Sequence, residues 1–285
     1  MSKGAKLGLI LSLSFLLAAI ILFVGGMSML DWDFGKLSTN PPVTNTYLFD
    51  EPVRDISVIA DTADIKIAPS SDGKIQVVCQ EREHVRYAVS VDDGTLEIQM
   101  QDTRKWYQQI TSFVNYTKVT VYLPEGTYGA LSIHGTTGNI HLSGGYTFGD
   151  VDVTVSTGDI MMARISANDL NLSASTGKVT LEALQCRNLN SESSTGKTML
   201  SQVFVAEKLQ LHSNTGNIVL DHCDAAEIWI ETDTGNVTGS MLTEKVFQVK
   251  TETGRIDVPD TITGGRCKIS TDTGNILITL VKEGE

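Results

Sequence analysis

The sequence predicts an all-β, single-chain β-solenoid of 19–20-residue coils, preceded by one N-terminal transmembrane helix. Three observations support this prediction. Eight Thr-Gly dipeptides recur every 19 or 20 residues, apolar and polar residues alternate on both sides of each dipeptide, and residues 7–30 carry no charged side chain. Because one repeat of this length cannot bury its own apolar face, successive coils must stack on one another.

Residues 1–30 are predicted to form a cytoplasmic stub and a transmembrane anchor. Residues 7–30 are rich in Leu, Ile, Phe and Ala, and a stretch of this length suffices to cross the core of a bilayer. Lys3 and Lys6 precede it and Asp31 follows it, which places the N-terminus in the cytoplasm and the remainder outside the cell. A cleaved signal peptide is the alternative, although Val24-Gly25-Gly26-Met27 makes a poor cleavage site.

A linker and a β-rich lead-in region follow the anchor. Residues 31–45 contain Pro41-Pro42 among polar residues, which predicts an extended, exposed linker. Residues 46–126 form the lead-in region, which caps the solenoid. Within it, residues 56–67 fit the columns of the repeat, so Asp61-Thr62-Ala63-Asp64 is interpreted as a ninth, degenerate corner.

A short helical insertion is expected at residues 103–116. Trp106, Ile110 and Phe113 recur there at helical spacing, which breaks the β pattern. In one interpretation this aromatic face packs on the solenoid. In the other, Trp106 and Tyr107 belong to a contact surface for a glycan, a peptide or a membrane.

Residues 127–285 are predicted to form the eight coils. Each corner contains a glycine because the backbone turns there with a positive φ: Gly138, Gly158, Gly177, Gly196, Gly216, Gly235, Gly254 and Gly274. The fourth coil is the weakest, since Ser191 and Thr198 stand where other coils have aliphatic residues. No coil is expected to cover the strand at residues 276–281, whose edge only Lys282, Glu283 and Glu285 would protect. End-to-end homodimers are therefore expected there.

Composition excludes some classes of function. The net charge is −12, and the two lysines before residue 31 leave −14 on residues 31–285. This balance excludes nucleic-acid binding and argues against anionic lipids or wall polymers, unless a cation bridges them. The four cysteines show no metal-ligand spacing, and Cys223 and Cys267 are expected to be small buried apolar residues.

Asp233, Glu252 and Asp272 occupy one column of the repeat. On three stacked coils they would repel one another, and a bound Ca²⁺ would relieve the repulsion; the alternative is three solvated turn carboxylates. Asp233 and Asp272 also begin Asp-Thr-Gly triplets like those of aspartic proteases. Because sequential stacking sets them two coils apart, we interpret the triplets as products of the repeat. No catalytic residue and no cofactor site is predicted.

The chain resembles a bacterial β-strand-repeat family, the "putative adhesin" family or domain of unknown function 4097. Three stretches carry the resemblance: residues 56–69 with the Asp61-Thr62-Ala63-Asp64 corner, residues 119–128 (VTVYLPEGTY), and the run of Thr-Gly-Asn/Asp-Ile corners. The resemblance covers most of residues 46–281. It implies a membrane-anchored, surface-exposed β-solenoid, common in Gram-positive bacteria, and it implies no catalytic or ligand residues.

Together these observations predict an outward-facing, non-catalytic binding or adhesin-like module. Its partner would be an unknown protein or a ligand of the cell envelope, and Trp229, in an outward column, is the best contact residue of the solenoid. An accessory protein of envelope-stress sensing, which contacts a membrane partner, is the alternative. An enzyme such as a polysaccharide lyase would need a groove of paired charged and aromatic residues, and the sequence shows none.

Overall fold

The computed structural model describes residues 3–29, 42–82, 84–104 and 117–281. Within these ranges it contains one helix, α1 (Lys3–Met29), and eighteen strands that belong to one continuous sheet. The helix and the strands fall into two separate units. The Trp106 and Tyr107 contact surface and most of the predicted helical insertion lie outside the described residues.

The helix α1 exposes large apolar side chains. Phe15 and Leu22 are each 76% exposed, and Leu16, Leu17, Ile20 and Ile21 are also exposed. Nevertheless, no helix among the described residues is both long and apolar enough to cross a membrane. The helix is therefore present where the sequence predicted one, whereas the transmembrane span is not found.

Six strands build the lead-in region: β1 (Val43–Phe49), β2 (Asp55–Pro69), β3 (Ile75–Glu81), β4 (Val85–Asp92), β5 (Thr95–Asp102) and β6 (Thr117–Leu123). β1 and β6 pair antiparallel with β3, and β4 and β5 form an antiparallel hairpin. The predicted linker, residues 31–45, extends too far toward the C-terminus, because β1 already begins at Val43.

The solenoid begins at β2. Residues 127–241 continue it with β7 (Thr127–Tyr128), β8 (Leu131–Thr137), β9 (Ile140–Thr157), β10 (Ile160–Thr176), β11 (Val179–Thr195), β12 (Thr198–Thr215), β13 (Ile218–Thr234) and β14 (Val237–Met241). One side of β2 pairs in parallel with β8 and β9, and the other side pairs in parallel with β5 and β6. Ala63 lies beside Gly138, so the degenerate ninth corner is confirmed.

Each long strand bends around the coil from one Thr-Gly corner to the next. Neighbouring strands are parallel and in register, so that Leu170 lies between Val151 and Leu189, and all three are buried. The inward columns form one continuous apolar core. All eight corner glycines have φ between +138° and +159°, as predicted.

A second corner follows six residues after the corner glycine. Arg164, Ala183, Gln202 and His222 have φ between +52° and +56°, and Gly144 holds the equivalent place in an earlier coil. The sequence did not reveal this corner, because the left-handed conformation falls on residues that give no turn signal.

Side chains directly after the corner glycines form a ladder between coils. The side-chain oxygen of Asn139 accepts a hydrogen bond from the backbone N–H of Asp159 at 3.0 Å, and the Asp159 carboxylate accepts one from the N–H of Lys178 at 2.8 Å. Asn217 and Asn236 continue the pattern in later coils. The corresponding Lys178 and Lys197 have no side-chain oxygen, so they cannot act as acceptors.

The last two coils are stacked in the reverse of their chain order. Their strands are β15 (Lys245–Thr253) and β16 (Ile256–Asp257) in the Gly254 coil, and β17 (Gly265–Thr273) and β18 (Ile276–Leu280) in the Gly274 coil. β17 lies between β13 and β15, and β18 lies between β14 and β16. The Gly274 coil is thus inserted, and the Gly254 coil forms the end of the solenoid.

The expectation of an uncovered strand at residues 276–281 is therefore only partly right, because β16 covers Ile276 and Leu277, and the longer open edge is β15. Burial differs between the two coils. Cys267, Ile269 and Ile276 of the inserted coil are fully buried, whereas Phe247 of the end coil is only half-buried and Ile256 is 42% exposed. The inner place has a coil on each side, which removes more apolar area from water.

The fourth coil buries polar side chains, as predicted. Ser191 and Thr198 are buried, and the hydroxyls of Ser191 and Ser193, and of Ser213 in the fifth coil, have no hydrogen-bond partner. The cysteines are free and buried, which confirms the interpretation of Cys223 and Cys267 as apolar core residues.

Candidate functional site

Trp229 lies on an outward position of β13, between the buried Ile228 and Ile230. Its in-register neighbours are Gln210 on β12 and Lys268 on β17. The Nζ atom of Lys208 lies 4.4 Å from the centroid of the indole ring, and that of Lys268 lies 5.4 Å from it. Two ammonium groups at these distances make cation–π contacts with one ring.

This arrangement depends on the inserted coil. Sequential stacking would place Gln248 beside Trp229, but Gln248 instead pairs with Lys268 one strand farther out. The sequence therefore predicts the outward tryptophan but not its neighbour Lys268. The order of the coils leaves no signal in the sequence, because all coils share the same register.

The indole N–H of Trp229 is buried and has no hydrogen-bond partner. A buried donor without an acceptor is unusual and costs free energy in the unliganded protein. A small pocket of about 120 Å³ lies beside the ring, lined in part by Gln210, His212 and Lys268. The site therefore combines a flat apolar ring, two cations and one buried donor without a partner.

Charges around Trp229 differ from those of the whole domain. Lys208 lies on β12, and Arg266 and Lys268 lie on β17, where Arg266 is 3.4 Å from the Glu227 carboxylate. Glu231 lies 4.0 Å from His212, and Glu192 is the in-register neighbour of His212 on the other side. Three cations and three carboxylates therefore balance here, within a domain that carries −14. We call these residues the Trp229 face: Glu192, Lys208, Gln210, His212, Glu227, Trp229, Glu231, Arg266, Lys268 and Ser270.

A second concavity is an open groove of about 650 Å³ that crosses several coils. It is lined mainly by small residues, with Phe148 and Phe204 among them, and it contains the buried Lys245. The Nζ atom of Lys245 lies 2.5 Å from both the Asp224 carboxylate and the Thr243 hydroxyl. The Asp224 carboxylate already neutralises the charge of Lys245 within the protein, so Lys245 does not require an anionic ligand.

Cys186 also lines this groove. Burial raises the pKa of its thiol to about 12, so the thiol stays protonated and is a poor nucleophile at neutral pH. The groove therefore offers shape and hydrogen-bonding groups, but no activated thiol.

The predicted calcium site is not assembled. Asp233, Asp272 and Glu252 are exposed and follow one another in that spatial order. Over the described ranges, no three His, Cys, Asp or Glu side chains converge closely enough to hold a metal ion. Glu252 lies 3.7 Å from Lys250, which already neutralises part of the column.

The two Asp-Thr-Gly triplets lie closer than sequential stacking implied. Thr234 pairs directly with Thr273, so Asp233 and Asp272 are on adjacent strands rather than two coils apart. Both aspartates are exposed at the corner, and no hydrogen bond joins them among the bonds found for the described residues. They are not enclosed in the shared, proton-binding site that an aspartic protease requires.

The family model of Toastrack DUF4097 matches the chain twice, over residues 53–187 and 168–285. No curated protein sequence matches this chain. A crystal structure of a "putative adhesin" from Bacteroides fragilis shares 16% identity at a TM-score of 0.52, covering 84% of this chain and 97% of that one. A "putative adhesin" from Parabacteroides merdae shares 13% identity at a TM-score of 0.45, covering 85% and 98%.

At such low sequence identities, the solved structures support the fold alone. The Parabacteroides merdae structure, with a TM-score below 0.5, supports no conclusion. The family matches together span the lead-in region from residue 53 and every coil, and they overlap within the solenoid because its coils repeat. The chain belongs to the Toastrack DUF4097 family.

Proposed function

We propose that this protein is a non-catalytic binding module of the cell envelope, and that its Trp229 face contacts the ligand. The observation that supports this proposal is Trp229 between two lysines with an unpartnered indole N–H. An aromatic ring stacks on the flat face of a sugar, and ammonium groups favour carboxylate or phosphate groups. The ligand class that fits is an acidic glycan of the envelope.

The shape of the solenoid supports an extended ligand. Outward columns present equivalent positions about every 4.8 Å along the stack, which suits a polymer that contacts several coils. The charge of −14 is not spread evenly over residues 31–285. Lys208 and Lys268 both lie at the Trp229 ring, so a local contact with an anionic group is compatible with an acidic protein.

The proposal places the solenoid outside the cell, attached through the N-terminal segment. The order of charges, Lys3 and Lys6 before the apolar stretch and Asp31 after it, supports this orientation. The exposed apolar side chains of α1 support an apolar environment for that segment.

Retention on purified cell-wall sacculi of the source organism tests this function. We expect the full-length protein to bind saturably and the Trp229→Ala variant to lose at least about tenfold in affinity, the size of a contact worth 1.4 kcal/mol. Phe204→Ala, which truncates a 39% exposed aromatic residue of the groove, is the matched control and should bind like the wild type.

Added salt should weaken retention, because screening acts on the two ammonium groups. Ca²⁺ or a chelator should change nothing, since no calcium site is assembled among the described residues. Absence of wild-type retention, or equal retention of the Trp229→Ala variant, would contradict the proposal.

An accessory role beside a membrane partner is the second candidate function. It is favoured by one observation, the exposed apolar side chains of α1, such as Phe15 and Leu22. Photo-crosslinkers at these two positions in the full-length chain, expressed in its own cells, test it. A single protein partner captured at both positions would support the role, whereas capture of lipid alone would contradict it.

A further inference from the structure

The strand β15 is an open edge of the sheet. Its inner side pairs with β17 over residues 245–253, and its outer side pairs with no strand in the described part of the chain. Alternate backbone N–H and C=O groups of β15 therefore lack a strand partner. These groups fit another β-strand better than any other kind of ligand.

The surface around this edge is apolar. Val246 is 37% exposed and Ile256 is 42% exposed, while Phe247 and Val249 are half-buried. Beyond β16, Ile262 is 89% exposed. A partner that covers this end would therefore bury apolar area as well as complete the hydrogen bonds of the sheet.

We propose that β15 pairs antiparallel with β15 of a second copy, around a two-fold axis that passes through Thr251. In this register Lys250 of each copy lies opposite Glu252 of the other. Both side chains point outward, with exposed fractions of 75% and 63%. Opposite charges that face each other across an antiparallel pair stabilise it, and the two-fold axis provides this contact twice.

The two ends of the solenoid differ, which selects a closed dimer. At the other end, the outer side of β2 is already paired with β5 and β6. A head-to-tail stack, in which β15 of one copy extends β2 of the next, is therefore blocked, and a fibre cannot grow in this way. Pairing of β15 with β15 uses the same open edge on both copies, so this assembly closes at two copies.

Charge reversal tests both the dimer and its register. The full-length chain in a mild detergent should sediment as a dimer. Lys250→Glu and Glu252→Lys should each weaken the dimer at least about tenfold, because each places two like-charge pairs across the interface. The double variant Lys250→Glu/Glu252→Lys should restore it, since the opposite charges face each other again.

Lys197→Glu is the control, because it makes the same change of charge at an exposed corner far from β15 in the chain. It should leave the dimer unchanged, and unchanged thermal unfolding should verify that every variant is folded. A wild-type chain that stays monomeric at all concentrations would overturn the proposal. A dimer that resists the single reversals, or that the double variant fails to restore, would overturn it equally.

Discussion

At the scale of single residues, the corner glycines meet two requirements at once. Gly196 has a φ of +147°, and an added Cβ atom would overlap the carbonyl oxygen of Gly177 in the neighbouring coil. The first requirement concerns backbone conformation and the second concerns space. Stacking of the coils, more than the turn itself, therefore demands glycine at this position.

Gly196→Ala should lower the free energy of unfolding by about 3 kcal/mol, because strain in φ adds to a backbone clash that no rotamer relieves. Urea denaturation measures the change. Gly126→Ala is the control, since no atom lies within 4 Å of its added Cβ. It should change stability by less than about 0.5 kcal/mol. Similar losses in both variants would contradict the steric explanation.

The ladder of Asn and Asp side chains is interrupted at Lys178 and Lys197. Lys197→Asn would give the N–H of Asn217 the side-chain acceptor that equivalent positions have. We expect a gain of about 1 kcal/mol in unfolding free energy, the usual contribution of such a hydrogen bond. Lys197→Gln removes the same charge with a longer side chain, and an equal gain from it would contradict the ladder explanation.

Residue patterns predicted the eight corners, the inward columns and the degenerate corner at Ala63. They did not predict the left-handed Arg164 or His222, since those residue types carry no turn signal. The Thr-Gly-Asn pattern was visible, but its reason was not, because the ladder joins residues about twenty positions apart that only stacking brings together.

At the scale of elements, the buried ion pair connects β13 to the first residue of β15. Lys245 is 3% exposed, and its ammonium group contacts both the Asp224 carboxylate and the Thr243 hydroxyl. Thr261 also donates a hydrogen bond to the Lys245 carbonyl oxygen, so the segment before β17 is held at the same place. The pair thus fixes the point where the end coil departs.

Lys245→Met should lower the free energy of unfolding by about 3 kcal/mol, because it leaves a largely buried carboxylate without its cation. Asp224→Asn/Lys245→Met should be less destabilised than the sum of the single variants, since neither charge then remains alone. A double-mutant cycle in urea measures the coupling. Additive effects would show that the pair contributes no interaction of its own.

The order of the coils could not be predicted from the period of the repeat. Every coil offers the same register to every other, so Gly235 can stack on Gly254 or on Gly274 without a change in the inward columns. The two places differ in burial, since Cys267 and Ile269 in the inner place are fully buried, whereas Phe247 and Val249 at the end are half-buried. This choice decides which residues accompany Trp229, and hence the character of the candidate site.

At the scale of the whole molecule, the inserted coil is the sole sheet partner of the end coil among the described strands. A pair of introduced cysteines tests the reversed order in the full-length chain. Glu231→Cys/Ser270→Cys should form a disulfide under oxidation, because these positions are in-register neighbours. Glu231→Cys/Lys250→Cys is the control and should not, because Ser270 lies between the two positions. A disulfide in the control variant and none in the first would contradict the reversed order.

If the edge pairs as proposed, the two Trp229 faces belong to one continuous sheet. Five strand spacings, about 24 Å, separate the two rings across the strands, and the register displaces them by six further residues, about 20 Å, along the strands. A polymer long enough to reach both would bind more tightly than one short unit, because the second contact becomes intramolecular.

The reversed order of the last coils also bears on how the chain is made. Synthesis proceeds from the N-terminus, so β15 and β16 leave the ribosome before the strands on which they finally rest. The edge of β13 and β14 is free during that interval, and the Gly254 coil has the register to occupy it. β17 and β18 must then displace the Gly254 coil from that edge or insert beside it, so the fold is complete only after the last coil has emerged.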